Sequence, residues 1–477
     1  MQMQKRVYLI GAVILLTTAI FSKGYHHFDE HFQILEFASL KLGLAHEEDM
    51  PWEYFFSMRS AIQPAIVVCA YRIINWFTLP DPFLLTTLLR IISALLSLAT
   101  ILLFIETFQR QITSQKLKQA FLWLSFFLWF TIYSNVRFSS ENWSGNIFMI
   151  GLCLSVGNFK RKSVHFLFIG FVLGLAFLFR YQTGFLIAGL VLWLLCIQKD
   201  KILHLVSLLV AIGLVTAGGI LIDRWFYDEW TFSIWNYFDQ NILQNKAAGF
   251  GVEPWWYYLK EVILNTIPPF SILYVSTTFT FFLLYPRHII TFCIVPFLLV
   301  HFIIGHKEVR FLFPLVNYLP FIVIMALQVI NNYQISKLRL RIFQVFAWAF
   351  TIVNLILLLV VMFRPADGLI SLYQKLYYNY KSPTILYYTD ANPYLRILNI
   401  HFYKQPDLEV TRISSVTDIK RKNYYKILFS TDHPEQLIGN ENNWRLVYST
   451  LPEWIKKFNF NHWQDRTRFW YVYELKD

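Results

Sequence analysis

The sequence VYLIGAVILLTTAIF at residues 7–21 is followed by HHFDEHFQ at residues 26–33. The first stretch is apolar and, with flanking residues, approaches the ~20 residues that a membrane-spanning helix needs. No small-x-small cleavage site follows it, so we expect a retained helix and not a removed signal peptide. The second stretch carries Asp29 and Glu30 where that helix emerges into water. Because carboxylates are costly at the end of an apolar span, the acidic pair indicates a functional site.

The composition of the whole chain indicates a polytopic α-helical membrane protein. Of its 477 residues, 56% are hydrophobic and 15% are charged, which is too apolar for a soluble domain of this size. The net charge of +12 is attributed to basic loops between apolar segments, so we expect no nucleic-acid partner. The four cysteines lie in apolar stretches without metal-ligand spacing, and the sequence has no glycine-rich phosphate loop. We therefore expect no disulfide, no metal and no cofactor.

About eleven transmembrane helices are predicted from the apolar segments. The segment 62–77 is placed at the membrane interface instead, because Arg72 and Asn75 in its middle are costly at a bilayer centre. The segments that are predicted to span are 7–21, 83–108, 119–135, 142–158, 164–179, 184–198, 202–222, 268–285, 288–304, 311–330 and 342–363.

The positions of lysine and arginine predict the orientation of these spans. With the N-terminus in the cytoplasm, the basic loops all fall inside, in agreement with the positive-inside rule. They are residues 109–118, 159–163, 199–201, 286–288 and 331–341. The loops that are rich in polar and aromatic residues then lie outside, at 22–82, 136–141, 180–183, 223–267 and 305–310. The C-terminus is therefore expected on the extracytoplasmic side.

The composition changes after Phe363. Short β-like runs then alternate with polar turns that contain proline, and the runs are 385–389, 425–431, 444–450 and 469–474. We expect a transmembrane domain over residues 1–363, whose catalytic outer loops are 22–82 and 223–267. A small extracytoplasmic α/β domain is expected over residues 364–477.

The outer loops share a chemical character that suits sugar transfer from a lipid phosphate. Such a reaction needs a carboxylate that takes the proton of the attacking hydroxyl, for which Asp29 and Glu30 are the candidates. It also needs cations for the charge that develops on the leaving phosphate. The candidate donor-binding residues are Arg59, Arg137, Arg180, Arg224, His306, Lys307 and Arg310. The candidates for an acceptor or sugar platform are Trp52, Glu53, Asp223, Trp255 and Trp256.

Structural explanations for the same residues stay open. The acidic pair alone is also able to cap a helix, and arginines near membrane boundaries often bind lipid headgroups. The tryptophans at 255–256 are typical of an interfacial belt as well. His26, His27 and His31 lie close together, but adjacent ligands in such a loop do not match a zinc site.

Several motifs together resemble those of the clan C glycosyltransferases (GT-C fold) that use dolichyl-phosphate mannose. The similarity is to the group that contains the GPI mannosyltransferases and the lumenal α-mannosyltransferases of N-glycan assembly, glycosyltransferase family 22. The family's His-Pro-Asp-Glu-x-x-Gln motif stands here at residues 27–33, with Phe28 in place of the proline. Six further blocks are similar to family motifs and keep their order, and they are 52–64, 180–183, 223–228, 235–238, 251–258 and 306–314.

The resemblance implies an inverting transfer of mannose from a dolichyl- or polyprenyl-phosphate donor to a glycolipid, glycan or polysaccharide acceptor. Asp29 would be the general base, Glu30 would assist it, and the reaction would take place on the extracytoplasmic or lumenal side of the membrane. A bacterial plasma membrane is favoured because the loops are compact, and the endoplasmic reticulum is expected if the protein is eukaryotic.

Three alternative functions stay open. One is transfer of another polyprenyl-phosphate-linked sugar by the same fold. Another is a lipid-linked oligosaccharide transporter or flippase, which would need ionisable residues along its spans, whereas here they concentrate in the outer loops. The third is a non-catalytic membrane scaffold, which would not need the acidic pair and the His-Lys-Glu-x-Arg sequence on the same side.

Overall fold

The computed structural model describes residues 2–157, 162–331, 337–419, 422, 424–433, 437, 443–459, 462 and 468–476. The fold is mostly helical, with one small sheet near the C-terminus. It divides into two compact units. The first comprises Met1–Ser22, Trp52–Ile73 and Thr86–Arg364, and the second comprises Lys23–Pro51, Ile74–Leu85 and Pro365–Asp477. The segment with the acidic pair therefore belongs to the same unit as the C-terminal residues, and the predicted division after residue 363 stays a prediction.

Five helices in the described ranges are long and apolar enough to cross a membrane. They are Gln2–Phe21, Pro82–Gln111, Ile202–Tyr227, Val309–Val329 and Arg341–Phe363. A sixth candidate is the pair Phe270–Leu284 and Ile289–Ile303, which is bent by 119° at its break. Shorter apolar helices are Ile62–Asn75, Ser163–Phe179 and Tyr181–Cys196. The count of eleven spans stays a prediction, as does the interfacial place of 62–77. Most of the predicted inner loop 159–163 and residues 332–336 of another lie outside the described residues.

The other helices of the first unit are short. They are Trp52–Phe55, Gln115–Phe127, Trp129–Asn135, Ser140–Val156, Ser233–Phe238 and Tyr257–Asn265, with single turns at Lys246–Phe250 and Asp239–Leu243. The predicted span 119–135 is thus two helices, separated at Leu128, whose backbone is extended. The Asn354 side chain explains the break, because it accepts from Trp129 N at 3.1 Å and donates to the Phe127 carbonyl at 2.6 Å. It thereby satisfies backbone groups that the interrupted helix leaves exposed.

The interior of the first unit is built around phenylalanines from several helices. The ring centroid of Phe321 lies 5.9 Å from that of Phe104, 5.7 Å from Phe121 and 6.1 Å from Phe281. Elsewhere glycine permits the helices to approach closely. A Cβ at Gly170 would clash with the Leu208 carbonyl of the helix Ile202–Tyr227. Small residues at such contacts are typical of helix packing in membranes.

Buried amides also hold the first unit together. Asn135 and Asn317 exchange two hydrogen bonds of 2.9 Å, and Asn317 donates a third, of 3.2 Å, to Asn146. Asn146 in turn donates to Ser97 Oγ at 3.1 Å. The network joins residues of four helical segments, and each of its amides has partners, as buried polar groups require.

The second unit contains a five-stranded sheet of order β2-β1-β3-β5-β4. The strands are β1 (Thr384–Tyr388), β2 (Leu408–Arg412), β3 (Lys426–Thr431), β4 (Trp444–Ser449) and β5 (Tyr471–Leu475). β1 runs parallel to β2 and β3, whereas β5 is antiparallel to β3 and β4. Four strands coincide with the predicted β-like runs. β2 is the strand that the prediction missed, because it is a half-exposed edge strand with charged residues.

The described helices of the second unit are short turns, apart from one longer helix, Ile370–Asn379. They are Phe28–His31, Phe32–Glu36, Phe37–Lys41, Glu47–Asp49, Ile370–Asn379, Val416–Asp418 and Glu453–Lys456. Phe32–Glu36 is a π-helical turn.

Candidate active site

The acidic pair lies in the first turn of the helix Phe28–His31. His27 caps this helix, because its Nδ1 accepts from the backbone N–H of Asp29 at 3.2 Å. The same Nδ1 lies 3.6 Å from Asp29 Oδ1. The Asp29 side chain is 25% exposed, which leaves it accessible to a substrate hydroxyl. Glu30 accepts from the backbone N–H of His26 at 2.8 Å.

Two of the predicted donor-binding arginines meet at one buried carboxylate in the first unit. Glu141 Oε1 accepts from Arg180 Nη1 at 2.8 Å and from Arg310 Nη1 at 3.1 Å. Glu141 lies in the first turn of the helix Ser140–Val156, and Arg180 directly follows the helix Ser163–Phe179. The three side chains are less than a tenth exposed, so water screens their charges weakly.

The same chain of contacts continues to His306. Arg310 Nε donates to Glu308 Oε2 at 2.5 Å, and His306 Nε2 lies 3.0 Å from Glu308 Oε1. The other ring nitrogen of His306 lies 3.1 Å from the Gly251 carbonyl. Both ring nitrogens thus face acceptors, and only the protonated ring donates to both.

The contacts of the 305–310 turn shift two pKa values in opposite directions. The hydrogen bond to Glu308 raises the pKa of His306 above its usual value, and burial opposes this shift. Burial lowers the pKa of Lys307, and the nearby Glu253 opposes that change. Lys307 Nζ donates to the Ile304 carbonyl.

Arg59 and Glu53 form a second charged pair, at 3.5 Å between Nη2 and Oε1. The Arg59 guanidinium also lies over the ring of Tyr237, 5.3 Å from its centroid. Nearby, Trp52 stacks on Phe250 with 5.7 Å between centroids. The structure therefore joins Trp52 and Arg59 to Phe250 and Tyr237, which are far from them in the sequence.

Asp223 is used as a buried anchor between loops. Its Oδ1 accepts from the backbone N–H of Ala61 at 2.7 Å, and its Oδ2 accepts from Ser233 Oγ at 2.5 Å. Ser233 Oγ also lies 2.7 Å from the Tyr181 hydroxyl. Asp223 is 2% exposed, so its carboxylate fixes the segments that begin at 61 and 233. The predicted role as a sugar platform stays a prediction.

Arg137 and Arg224 have contacts with other groups. Arg137 is fully buried, and its Nη2 donates to the carbonyl and the hydroxyl of Ser22. Arg90 Nε donates to the Ala19 carbonyl at 2.8 Å, so the two arginines satisfy the carbonyls that end the first helix. Arg224 lies over the exposed ring of Trp230, 5.9 Å from its centroid.

The predicted aromatic platform residues Trp255 and Trp256 lie at the surface, 64% and 45% exposed. They precede the helix Tyr257–Asn265. This exposure suits contact with a sugar and with a membrane interface alike.

Glu141 and Glu36 lie in or beside the predicted outer loops, but the sequence alone assigns neither of them a role. Glu141 follows two serines at a helix start, which is a typical place for an acidic residue that interacts with the helix. Glu36 stands inside the apolar run Phe32–Phe37, where an isolated carboxylate is itself a signal. Among the residues that the structure describes, no group of three His, Cys, Asp or Glu side chains is arranged to hold a metal ion.

The comparison with protein families identifies the chain. Residues 6–405 match the Alg9-like mannosyltransferase family, which confirms the resemblance seen in the motifs. The chain is 28% identical over 280 residues to GPI alpha-1,2-mannosyltransferase 3 of Homo sapiens, covering 57% of this chain and 48% of that protein. It is 26% identical over 365 residues to GPI mannosyltransferase 3 of Yarrowia lipolytica, covering 73% and 66%. The chain thus spans about half to two thirds of the length of these relatives.

A solved structure has the same fold. The crystal structure of ArnT from Cupriavidus metallidurans bound to undecaprenyl phosphate superposes with a TM-score of 0.53 and 11% identity, and it covers 98% of this chain and 97% of that one. At this identity the likeness concerns the fold alone, and it confirms the predicted GT-C architecture with a small C-terminal sheet. The chain is an integral membrane protein that belongs to the Alg9-like mannosyltransferase family.

Proposed function

We propose that this protein transfers a mannosyl residue from a dolichyl- or polyprenyl-phosphate mannose to a hydroxyl of a glycolipid or glycan, with inversion at the sugar carbon. The observation that carries this proposal is the pair of buried arginines that share Glu141, within a chain that matches the family over residues 6–405. In the reaction, the bond from the sugar carbon to the phosphate oxygen breaks, and a bond to the acceptor oxygen forms. The acceptor proton passes to a carboxylate.

The donor phosphate is assigned to Arg180, Arg310, Lys307 and His306. A fixed guanidinium stabilises the charge of a leaving phosphate without having to reorganise at the moment of reaction. Glu141 holds two guanidinium groups in this way, and Glu308 holds Arg310 from its other side. The lowered pKa of Lys307 indicates a poorly hydrated ammonium group, which gains more from an anionic partner than a solvated one. Arg59, Arg137 and Arg224 stay candidates for contacts with the donor.

We assign to Asp29 the role of general base, which takes the proton of the acceptor hydroxyl. Its carboxylate is partly exposed at the start of a helix that His27 caps, so the side chain has a fixed backbone position and is accessible to solvent. Glu30 has one oxygen on the His26 backbone and would orient the loop or assist the base. A positioned general base accounts for about 10²–10⁴-fold of rate.

The sugar and the acceptor are assigned to the aromatic and acidic residues of the same family blocks. Trp52, Trp255 and Trp256 offer apolar faces on which sugar rings stack, and Glu53 offers an acceptor for sugar hydroxyls. Glu53 also pairs with Arg59, which fixes the position of its carboxylate. For Asp223 we propose an indirect role, in which its carboxylate holds Ala61 and Ser233 in position beside the site by hydrogen bonds.

The proposed topology has about eleven spans, with the C-terminal domain and the reacting groups on the extracytoplasmic or lumenal side. A bacterial plasma membrane is favoured as the location, with the endoplasmic reticulum as the place of a eukaryotic protein. An impermeant thiol reagent tests the orientation in sealed right-side-out vesicles. We expect a cysteine at Tyr424 to react and one at Thr113 to be shielded, and the reverse pattern would invert the topology.

A second candidate reaction is transfer of another polyprenyl-phosphate-linked sugar. The fold shared with ArnT, whose structure holds undecaprenyl phosphate, favours a polyprenyl-phosphate carrier without selecting its sugar. Purified protein in detergent should therefore be offered polyprenyl-phosphate mannose, glucose and aminoarabinose in parallel, each with a mixed pool of glycolipid acceptors. We expect label to move from the mannose donor only. Transfer from one of the other donors, and none from mannose, would replace the proposed reaction with this second one.

A further inference from the structure

Glu36 is a fully buried carboxylate seven residues after Asp29. It ends the π-helical turn Phe32–Glu36, whose wider winding changes which side chains face each other. In an α-helix, His31 and Glu36 would stand about 140° apart around the axis. Here His31 Nε2 lies 2.8 Å from Glu36 Oε1, and both side chains are completely buried.

The same carboxylate oxygen binds a distant part of the chain. Glu36 Oε1 also accepts from the backbone N–H groups of His401 and Phe402, at 2.9 Å and 3.1 Å. One oxygen thus has three donors, two of which are main-chain groups 365 and 366 residues away in sequence. A buried carboxylate with such partners is expensive to replace, because its removal leaves buried N–H groups unsatisfied.

Other contacts join the same two stretches of the second unit. His31 is stacked between Tyr25 and Tyr403, with centroid distances of 4.8 Å and 5.5 Å. Asp49 accepts from Asn399 Nδ2 at 2.7 Å and lies 2.9 Å from His401 Nε2. The segment 399–403 therefore contacts His31, Glu36 and Asp49 within residues 25–49, the stretch that contains the acidic pair.

We propose that Glu36 is a positioning residue that binds residues 25–49, here called the acidic loop, to segment 399–403. It thereby holds Asp29 in place for proton transfer. Glu36 is not placed to touch a reacting group, because its Oε1 is bound by His31 and the main chain and its Oε2 is buried as well. Its effect passes through His31, which belongs to the same helical turn as Asp29. This role rests on the proposed function. It also assigns a task to the C-terminal domain, which supplies the fixed surface for the loop.

The test compares Glu36→Ala, Glu36→Asp and Glu36→Gln with the wild type. The amide oxygen of glutamine still accepts from the two backbone N–H groups, so we expect Glu36→Gln to keep kcat within about threefold of the wild type. Aspartate keeps the charge, but its side chain is one methylene shorter, so the carboxylate is drawn away from the two backbone N–H groups. Alanine removes the carboxylate altogether. For both we expect kcat to fall by about 10–10²-fold with little change in the donor KM, because a displacement of about 1 Å costs this much.

Glu474→Ala is the matched control. Glu474 is a buried carboxylate of the same unit that pairs with Arg445 in the sheet. Its loss should destabilise the unit without changing kcat per folded molecule. Amide hydrogen exchange provides a second measurement, in which Glu36→Ala should accelerate exchange in residues 26–36 and at 401–402 more than in the rest of the second unit, and Glu474→Ala should not accelerate these amides selectively. If alanine prevents folding, Glu36→Asp carries the same comparison.

Equal kcat in all Glu36 variants would overturn the positioning role while leaving the proposed function intact. A Glu36→Gln variant as inactive as alanine, with the basic limb of its pH–rate profile altered, would also overturn it, since Glu36 would then act through its charge. Absence of transfer by the wild type would instead reject the proposed function, and hydrogen exchange would still report whether Glu36 anchors the loop.

Discussion

Replacing Glu141 tests whether the buried arginines depend on one shared carboxylate. Glu141→Ala leaves the guanidinium groups of Arg180 and Arg310 without the oxygen that lies 2.8 Å and 3.1 Å from them. Removing one partner of a buried pair costs about 3–5 kcal/mol, because the remaining charge is left in a medium of low polarity. Arg310 keeps its contact with Glu308, so we expect the lower end, a loss of about 3 kcal/mol in the free energy of unfolding.

The assay for this prediction is thermal unfolding of the purified protein in detergent, with transfer measured per folded molecule. Glu141→Ala should melt at a clearly lower temperature and transfer at least about tenfold more slowly, since the guanidinium groups lose their orientation. Glu141→Gln keeps an acceptor and should fall between alanine and the wild type. The matched control is Glu106→Ala, which removes an exposed i, i+4 pair with Arg110 at 3.7 Å and should leave both quantities unchanged. A Glu141→Ala protein that melts like the wild type would refute the role of Glu141.

Further predictions concern His306, Asn317 and Arg137. Because the folded-state pKa of His306 is raised, its contacts stabilise the protein fully below the unfolded pKa of about 6.5, and this contribution is lost as the pH rises through the folded-state value. Melting temperatures between pH 5.5 and 8 should show this decline in the wild type, and an unchanged slope in His306→Gln would contradict it. Asn317→Ala leaves the Asn135 amide without its partner and should cost about 1–3 kcal/mol, measured by unfolding; a stability equal to the wild type would mean that the network adapts. Arg137→Met removes a buried cap of the first helix, so we expect lower stability at an unchanged donor KM, whereas a raised KM in a stable protein would support the donor-binding role of Arg137.

The sequence reveals the chemistry of the candidate site better than its connections. Arg180, Arg310 and His306 could be selected because charged residues in short loops between apolar segments need a reason to be there. Their joint contact with Glu141 and Glu308 depends on helix packing between residues that are more than a hundred positions apart, such as Glu141 and Arg310. No local pattern contains that information.

Two features of the fold likewise depend on contacts between residues that are far apart in the sequence. The apolar run 119–135 is typical of one continuous span, and the break at Leu128 depends on the side chain of Asn354, which lies 225 residues from its partner Trp129. The acidic loop follows the first span in sequence, yet it folds with the C-terminal unit because Glu36 and Asp49 bind residues 399–402. Both outcomes are decided by tertiary hydrogen bonds, which override local periodicity.

The most direct test of the central claim is transfer by wild type and Asp29→Asn from radiolabelled polyprenyl-phosphate mannose to a pool of glycolipids. Asparagine is nearly isosteric with aspartate, so folding and donor binding should be retained. Its side-chain amide does not take up the proton of the attacking hydroxyl. We expect label to move to lipid with the wild type and transfer to fall by about 10²–10⁴-fold with Asp29→Asn. Near-normal transfer by Asp29→Asn would contradict the assignment of the base, and wild-type protein that binds no lipid-phosphate mannose would contradict the proposed function itself.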